Sequence, residues 1–389
     1  MRDKPMSDHT THPRPIRPLP YYNVAGTVDE KRLAAALRRE FVPKVRRLLP
    51  GHHLGGLRHD FVVGFVKRHK RKYPCFVRTD IRQFYPSARH KDLIVGCQIA
   101  YRDLLNLDYV PAAFKRKYVG PLNQWCRTLP LHKGIPIGHP LSAILAPVML
   151  VPLWLEIKRR FGLPLLVYMD DVLVCTEDEA RSVEVYAFIE NWLYANYGLE
   201  LNTAKTASGR FAGTAVEFCG WRFSGGYATV SERAVTAFRE RIAECVRRMR
   251  RPDVRAFIKR LNRKIDGFGH YYKFGQVAGQ FRALDMFIRN RVRDWLARVP
   301  GIRAHSVRQL SSLGLRSLTA IAAPHTRRKD GRVAAPATLA RPAVGRSLPQ
   351  GDPFSERIVQ TLDKINAQLN QIVSLQRKQL RLMDELLNM

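Results

Sequence analysis

The chain has 389 residues, 46% of them hydrophobic, with 66 Lys and Arg against 33 Asp and Glu, a formal net charge of +33. That hydrophobic share excludes a mere basic tail, since a chain of this length and composition buries a core. The charge excludes a body without a polyanionic partner, because so large an excess repels itself; nucleic acid is the first candidate and an anionic membrane surface the second.

In chain order, residues 1–20 are rich in Pro, His and Arg and read as a disordered tail. They lack the apolar centre of a signal peptide. At 29–49, Leu33, Ala36, Leu37, Phe41, Val42 and Val45 share one helical face, and 59–72 reads as a basic helix. Residues 76–81 read as a strand, ended by Phe84-Tyr85-Pro86, and 91–117 as a helix. Gly134-Ile-Pro-Ile-Gly138 is a loop, with an apolar helix from about Ser142. The longest apolar run, 141–155, is interrupted by proline and too short to cross a bilayer.

Residues 165–167 and 172–175 read as a hairpin with Asp170 and Asp171 at its tip, followed by an amphipathic helix over 178–197. A second hairpin pairs 217–223 with 227–230 through Ser224-Gly225-Gly226. The stretch 232–298 is helical and dense in arginine, and 322–353 is a Pro/Ala/Arg/Gly-rich linker. In the last segment, Ile358, Leu362, Ile365, Leu369 and Ile372 alternate spacings of four and three. This heptad seam suits an oligomer; the alternative is an amphipathic helix docked on its own domain. Six cysteines stand singly, so neither a disulfide frame nor a zinc site is expected. The expectation is a reduced, cytoplasmic protein with no membrane partner.

Adjacent carboxylates repel and are costly to desolvate. An Asp pair in a hairpin is often only a turn. Here both flanks are apolar, and Asp80 supplies a second acidic strand end followed by the aromatic pair Phe84 and Tyr85. Three carboxylates on neighbouring strands suit hard divalent cations, which take oxygen ligands and leave room for substrate phosphates.

The order of motifs is more specific. Asp80 with its aromatic pair comes first, then Gly134-Ile-Pro-Ile-Gly138 with Ser142, then Tyr168-Met169-Asp170-Asp171. Gly198-Leu-Glu-Leu-Asn202 with Lys205 follows, and finally Phe218-Cys-Gly220-Trp221. This series resembles motifs A to E of reverse transcriptases. The resemblance implies an α+β fold: a right-hand polymerase palm of antiparallel sheet with helices, reduced fingers, a helical thumb and a C-terminal coiled-coil helix. The implied boundaries are a tail at 1–20, fingers at 21–75, palm at 76–231, thumb at 232–321, linker at 322–354 and an oligomerising helix at 355–389.

By the same resemblance Asp80, Asp170 and Asp171 hold two Mg²⁺ (or Mn²⁺), with the Ile81 carbonyl completing the shell, and Lys205 is a candidate acid for the pyrophosphate. Arg78, Arg82, Phe84, Tyr85, Gly138, Ser142, Tyr168 and Met169 would meet the nucleotide, with Tyr85 as the gate that favours dNTPs. Phe218, Gly220 and Trp221 resemble the primer grip. The stretch from Leu261 to Trp295 is similar to the thumb, or maturase-like domain, of group II intron enzymes, where Arg247, Arg248, Arg251, Arg263 and Lys264 would face the primer–template backbone.

The chain also departs from the family. Ile137 and Ala143 stand where many bacterial reverse transcriptases have Gln and Pro, which leans toward retroelement enzymes. Only 79 residues precede Asp80, and no Lys-Pro-x-Gly-Lys-x-Arg stretch is found, so the fingers are expected to be reduced. The implied activity is RNA-directed DNA synthesis in the bacterial cytoplasm. The expected partners are a template or non-coding RNA, a DNA primer or product, dNTPs, further copies of the chain and a possible second polymerase subunit. Anti-phage defence is the favoured setting; the alternatives are a diversity-generating retroelement enzyme and a catalytically quiet RNA-binding subunit.

Overall fold

The computed structural model describes residues 26–55, 59–248, 253–299 and 306–326. The tail at 1–20, most of the linker and the heptad segment lie outside them. The described chain divides into two compact units, one of residues 26–41 with Gln83–Pro152, the other of Val42–Arg82 with the residues from Leu153 on.

Helix α1 (Val28–Leu48) begins with a reciprocal cap: Thr27 N–H donates to the Glu30 carboxylate at 2.6 Å, and Glu30 N–H to Thr27 Oγ1 at 3.2 Å. Helix α2 (His59–His69) leads to strand β1 (Cys75–Asp80), and a single turn, α3 (Phe84–Ser87), follows it. Helix α4 (His90–Leu105) is shorter than the sequence suggests. Asn106 adopts φ +52 and ends it, Leu107 N–H reaching back to the Arg102 carbonyl. Pro111 then opens a separate helical run: α5 (Ala112–Phe114), a π-turn over Lys115–Val119, and α6 (Gly120–Thr128). The apolar period bridges this break, which is why 91–117 reads as one helix. Helix α7 (Ser142–Met149) packs on α4, and the first unit is filled by Leu37, Phe41, Leu93, Leu122 and Leu145, with Tyr101 stacked on Phe114 at 4.0 Å.

After α8 (Val151–Phe161), strands β2 (Leu165–Tyr168) and β3 (Asp171–Thr176) form the expected hairpin. Helix α9 (Glu179–Tyr197) starts on the side-chain cap of Asp178 and stops at Gly198 in the left-handed region. A 3₁₀ turn over Thr203–Lys205 leads to β4 (Ala207–Arg210). The sheet is antiparallel in the order β2-β3-β1-β4, with α9 against β1 and β3. Its two central strands are buried over their apolar stretches, Phe76 and Val77 in β1 and residues 172–175 in β3. That register leaves Asp80 opposite Asp171 at the sheet's end.

The second hairpin is corrected to a three-stranded sheet of β5 (Val216–Phe218), β6 (Trp221–Ser224) and β7 (Tyr227–Val230). Cys219 at φ +50 and Gly220 at φ +75 turn the chain inside what reads as one strand. The apolar pair Phe218 and Trp221 hides that turn in the sequence, because both are buried on either side of it.

The arginine-dense region forms α10 (Glu232–Arg247), α11 (Val254–Tyr272) and α12 (Ala278–Leu296), then α13 (Val307–Ser312) and α14 (Leu318–Thr326). Residues 322–326, read as the start of the linker, belong to α14, and Ala322 is buried. One apolar core runs from Val62 and Val66 of α2 through Phe76 and Leu173 to Trp221, Phe257, Phe281 and Leu318. The outer edge of β7 is closed by amides: Ala228 N–H donates to Gln276 Oε1 and Val230 N–H to Gln280 Oε1, both at 2.9 Å. Buried Asp285 accepts from the Leu318 and Thr319 N–H groups and from the Ser317 and Thr319 hydroxyls. Asp285→Ala is expected to cost about 2–4 kcal/mol, since it orphans one buried donor and three part-buried ones at once. Urea unfolding checks this, and a loss below about 1 kcal/mol would count against the anchor.

Among the described residues no helix is long and apolar enough to cross a membrane.

Candidate active site

The β2–β3 hairpin turns over Met169 and Asp170. Met169 sits at φ +58, a left-handed conformation that costs a side-chain-bearing residue about 1–2 kcal/mol. Tyr168 is half exposed beside it, and Asp171 is the first residue of β3. Asp80, at the end of β1, is buried. Past Asp80 the strand is latched to residues 200–202: Asn202 N–H donates to the Asp80 carbonyl and Arg82 N–H to the Glu200 carbonyl, both at 2.8 Å, with Ile81 bridged to Leu201. That latch brings Lys205 to the carboxylates.

Two of the three carboxylates carry a cation of the protein itself. Arg78 donates from Nε and Nη2 to the two Asp171 oxygens, each at 2.8 Å, and from Nη1 to the Lys205 carbonyl at 3.2 Å. Lys205 Nζ is paired with Asp80. Asp170 alone of the three has no ion pair among the described residues. Burial, with the charges of Asp80 and Asp171 adding to it, pushes its carboxyl up to about 6. Burial also raises Asp171, while Arg78 pulls it back.

Among the described residues no three His, Cys, Asp or Glu side chains are gathered for one ion; Arg78 and Lys205 lie against two of the carboxylates instead. The donor set still fits a hard divalent cation. It offers only oxygens, and Asp170 has no ion pair among the described residues.

Other residues singled out in the sequence fall into place separately. Arg82 is exposed and paired with Glu200 at 3.3 Å, so it and Arg78 are both turned onto carboxylates of their own unit. In the other unit Phe84 is buried edge-on to Tyr85, whose carbonyl accepts from Ile135 N–H at 3.0 Å. This joins the aromatic pair to the 134–142 loop. Gly138 there holds φ +86, and Ser142 opens α7 fully buried. Phe218 and Trp221 are core residues, so the Cys219-Gly220 backbone is what their turn presents. Tyr271 donates to the Cys219 carbonyl at 2.7 Å, and a Cβ on Gly220 would lie 2.2 Å from the Tyr272 hydroxyl. Arg247 and Arg248 pair with Glu244, Arg263 is exposed, Lys264 is half-buried, and Arg251 lies outside the described residues. His53, whose ring meets the Met169 amide, carries no motif or periodicity that would have singled it out.

Residues 7–223 match the family model for reverse transcriptase (RNA-dependent DNA polymerase), and residues 235–299 match the group II intron, maturase-specific domain. Among solved structures the chain is similar to telomerase from Candida albicans in complex with a TWJ fragment of telomeric RNA, at 11% identity and TM-score 0.38, covering 76% of this chain and 55% of that one. It is also similar to apo telomerase from Candida tropicalis, at 13% identity and TM-score 0.40, covering 72% and 56%. The chain spans about half the length of those telomerases. No curated protein matches it. The first family model covers more than half of the sequence, and with the maturase-specific match behind it the chain belongs to the reverse transcriptase family, of group II intron-like type.

Proposed function

We propose that the chain is an RNA-directed DNA polymerase that extends a 3′-end with dNTPs on an RNA it binds tightly. One observation carries the reading: Asp80, Asp170 and Asp171 meet at one end of an antiparallel sheet, and Asp170 has no ion pair among the described residues. A pure RNA binder has no use for such a group, which repels phosphates.

Asp80 and Asp170 would hold Mg²⁺, or Mn²⁺ in its place, with Asp171 and the Ile81 carbonyl beside them; the metal supplies Lewis acidity at the reacting phosphate and hydroxyl oxygens. Lys205, which pairs with Asp80, would give a proton to departing pyrophosphate. Arg78 keeps Asp171 oriented. Tyr85 and the 134–142 loop, held together by the Tyr85–Ile135 hydrogen bond, would shape the pocket for sugar and base. Exposed Arg263 and half-buried Lys264 on α11 offer a phosphate-contacting face.

The +33 charge supports stable retention of a dedicated non-coding RNA, with anti-phage defence as the proposed setting, and the heptad at 355–389 supports self-association. The chemistry is tested by Mg²⁺-dependent incorporation of labelled dNTPs on an RNA template, wild type beside the Asp170→Asn/Asp171→Asn variant. Incorporation by wild type alone is expected; equal incorporation by both would sink the assignment. Sequencing the nucleic acid that copurifies tests the setting, with one discrete structured RNA expected.

A further inference from the structure

The chain just after α1 does something at the β2–β3 hairpin that its sequence does not announce. Gly51 accepts from Val167 N–H at 2.9 Å, and His52 bridges Val167 in parallel. Gly51 lies so close that a Cβ there would stand 2.1 Å from the Leu165 carbonyl oxygen. Residues 51–52 therefore lie flush against β2 as a short extra edge, and they deliver His53 to the turn. His53 Nδ1 accepts from Met169 N–H at 3.1 Å, and its ring lies 5.4 Å from that of Tyr168. His53 is also stacked on His52 at 4.8 Å. His52 is itself buried and pinned through Nδ1 by Leu54 N–H.

Met169 is the strained residue between Tyr168 and Asp170. A left-handed residue persists only where its surroundings over-determine it. The His53 imidazole, in contact with both His52 and Tyr168, is the side chain that accepts its amide proton. We propose that His53 is a positioning residue for catalysis: it fixes Met169 in the left-handed conformation that sets Asp170 beside Asp80 and Asp171. The inference rests on the polymerase reading of those carboxylates. Neutral imidazole with its proton on Nε2 is the form that does this, because Nδ1 must accept.

The test compares wild type with His53→Ala and His53→Asn, the latter offering an amide oxygen as substitute acceptor. Single-nucleotide extension is expected to show kcat reduced about 10–100-fold in the alanine variant, as for other small displacements of catalytic groups, with KM for dNTP little changed. The asparagine variant should recover most of that rate. Full rate in the alanine variant overturns the inference. So does equal loss in both variants with matching losses of Tm, which assigns His53 a structural role only. Hydrogen exchange at the Met169 amide provides a readout that needs no activity. It should quicken in the alanine variant and stay slow in the asparagine one, and unchanged exchange in the alanine variant overturns the inference. A wild type that incorporates nothing yet shows this exchange pattern would fail the polymerase reading while leaving the His53 contact in place.

Discussion

Asp170→Asn is expected to reduce dNTP incorporation by about a thousandfold or more, as loss of a metal-charge contact worth several kcal/mol does. In metal-free buffer near neutral pH the same change is expected to make the protein more stable. Burial and the neighbouring Asp80 and Asp171 hold the Asp170 carboxyl at about 6, against 3.8 for the ordinary group. A carboxyl raised in the folded state favours folding only while it is protonated. Its contribution is complete below 3.8 and is lost as pH rises through about 6. Metal-free wild type should therefore lose stability as pH rises from 3.8 through about 6, and the asparagine variant should lack that component.

With a discount for partial exposure, the gain in the variant above about pH 7 is on the order of 1–2 kcal/mol, or a few degrees in Tm. Thermal scans in chelator at two pH values measure it. A variant that is no more stable than wild type at the higher pH would show that Asp170 is not under electrostatic pressure. Added Mg²⁺ should erase the difference by stabilising wild type alone.

Arg78→Met is expected to be among the most destabilising single changes in the sheet. It removes both hydrogen bonds to Asp171 and the one to the Lys205 carbonyl. Breaking a buried pair from one side costs about 3–5 kcal/mol, and with side chains still 20% and 22% exposed about 2–3 kcal/mol is the fitting figure. The double variant Arg78→Met/Asp171→Asn should regain most of the loss, since no unpaired charge is left inside. Urea midpoints for the four proteins close the cycle. Equal losses in the single and double variants would mean that Arg78 acts through packing alone. Activity should fall in both, which separates the stability of the site from its chemistry.

Much of the site could be read from residue order. The apolar runs on both sides of Asp170 and Asp171 specify a two-residue turn between buried strands, and Asp80 ends a strand of the same kind. What stayed hidden depends on long-range geometry. Arg78 and Asp171 are 93 positions apart, and nothing in the sequence says that this arginine turns inward onto a carboxylate instead of outward to a phosphate. His53 lies 116 positions from Met169, and its role follows from an edge contact that Gly51 alone permits. Asn106 and the Cys219-Gly220 turn were hidden for the opposite reason: apolar periodicity continued across them, and one left-handed residue changes the path without changing the pattern.

The unbroken core from α2 to α14, together with the Gln276 and Gln280 amides closing β7 and Tyr271 fastened to Cys219, has a mechanical consequence. Helices α10 to α12 share their interior with both sheets, so they cannot swing as a hinged arm without opening that interior to water. If a nucleic-acid duplex lies on them, as proposed, it would meet a stiff cradle. Compliance would then have to come from the strand being copied, not from the protein that holds it.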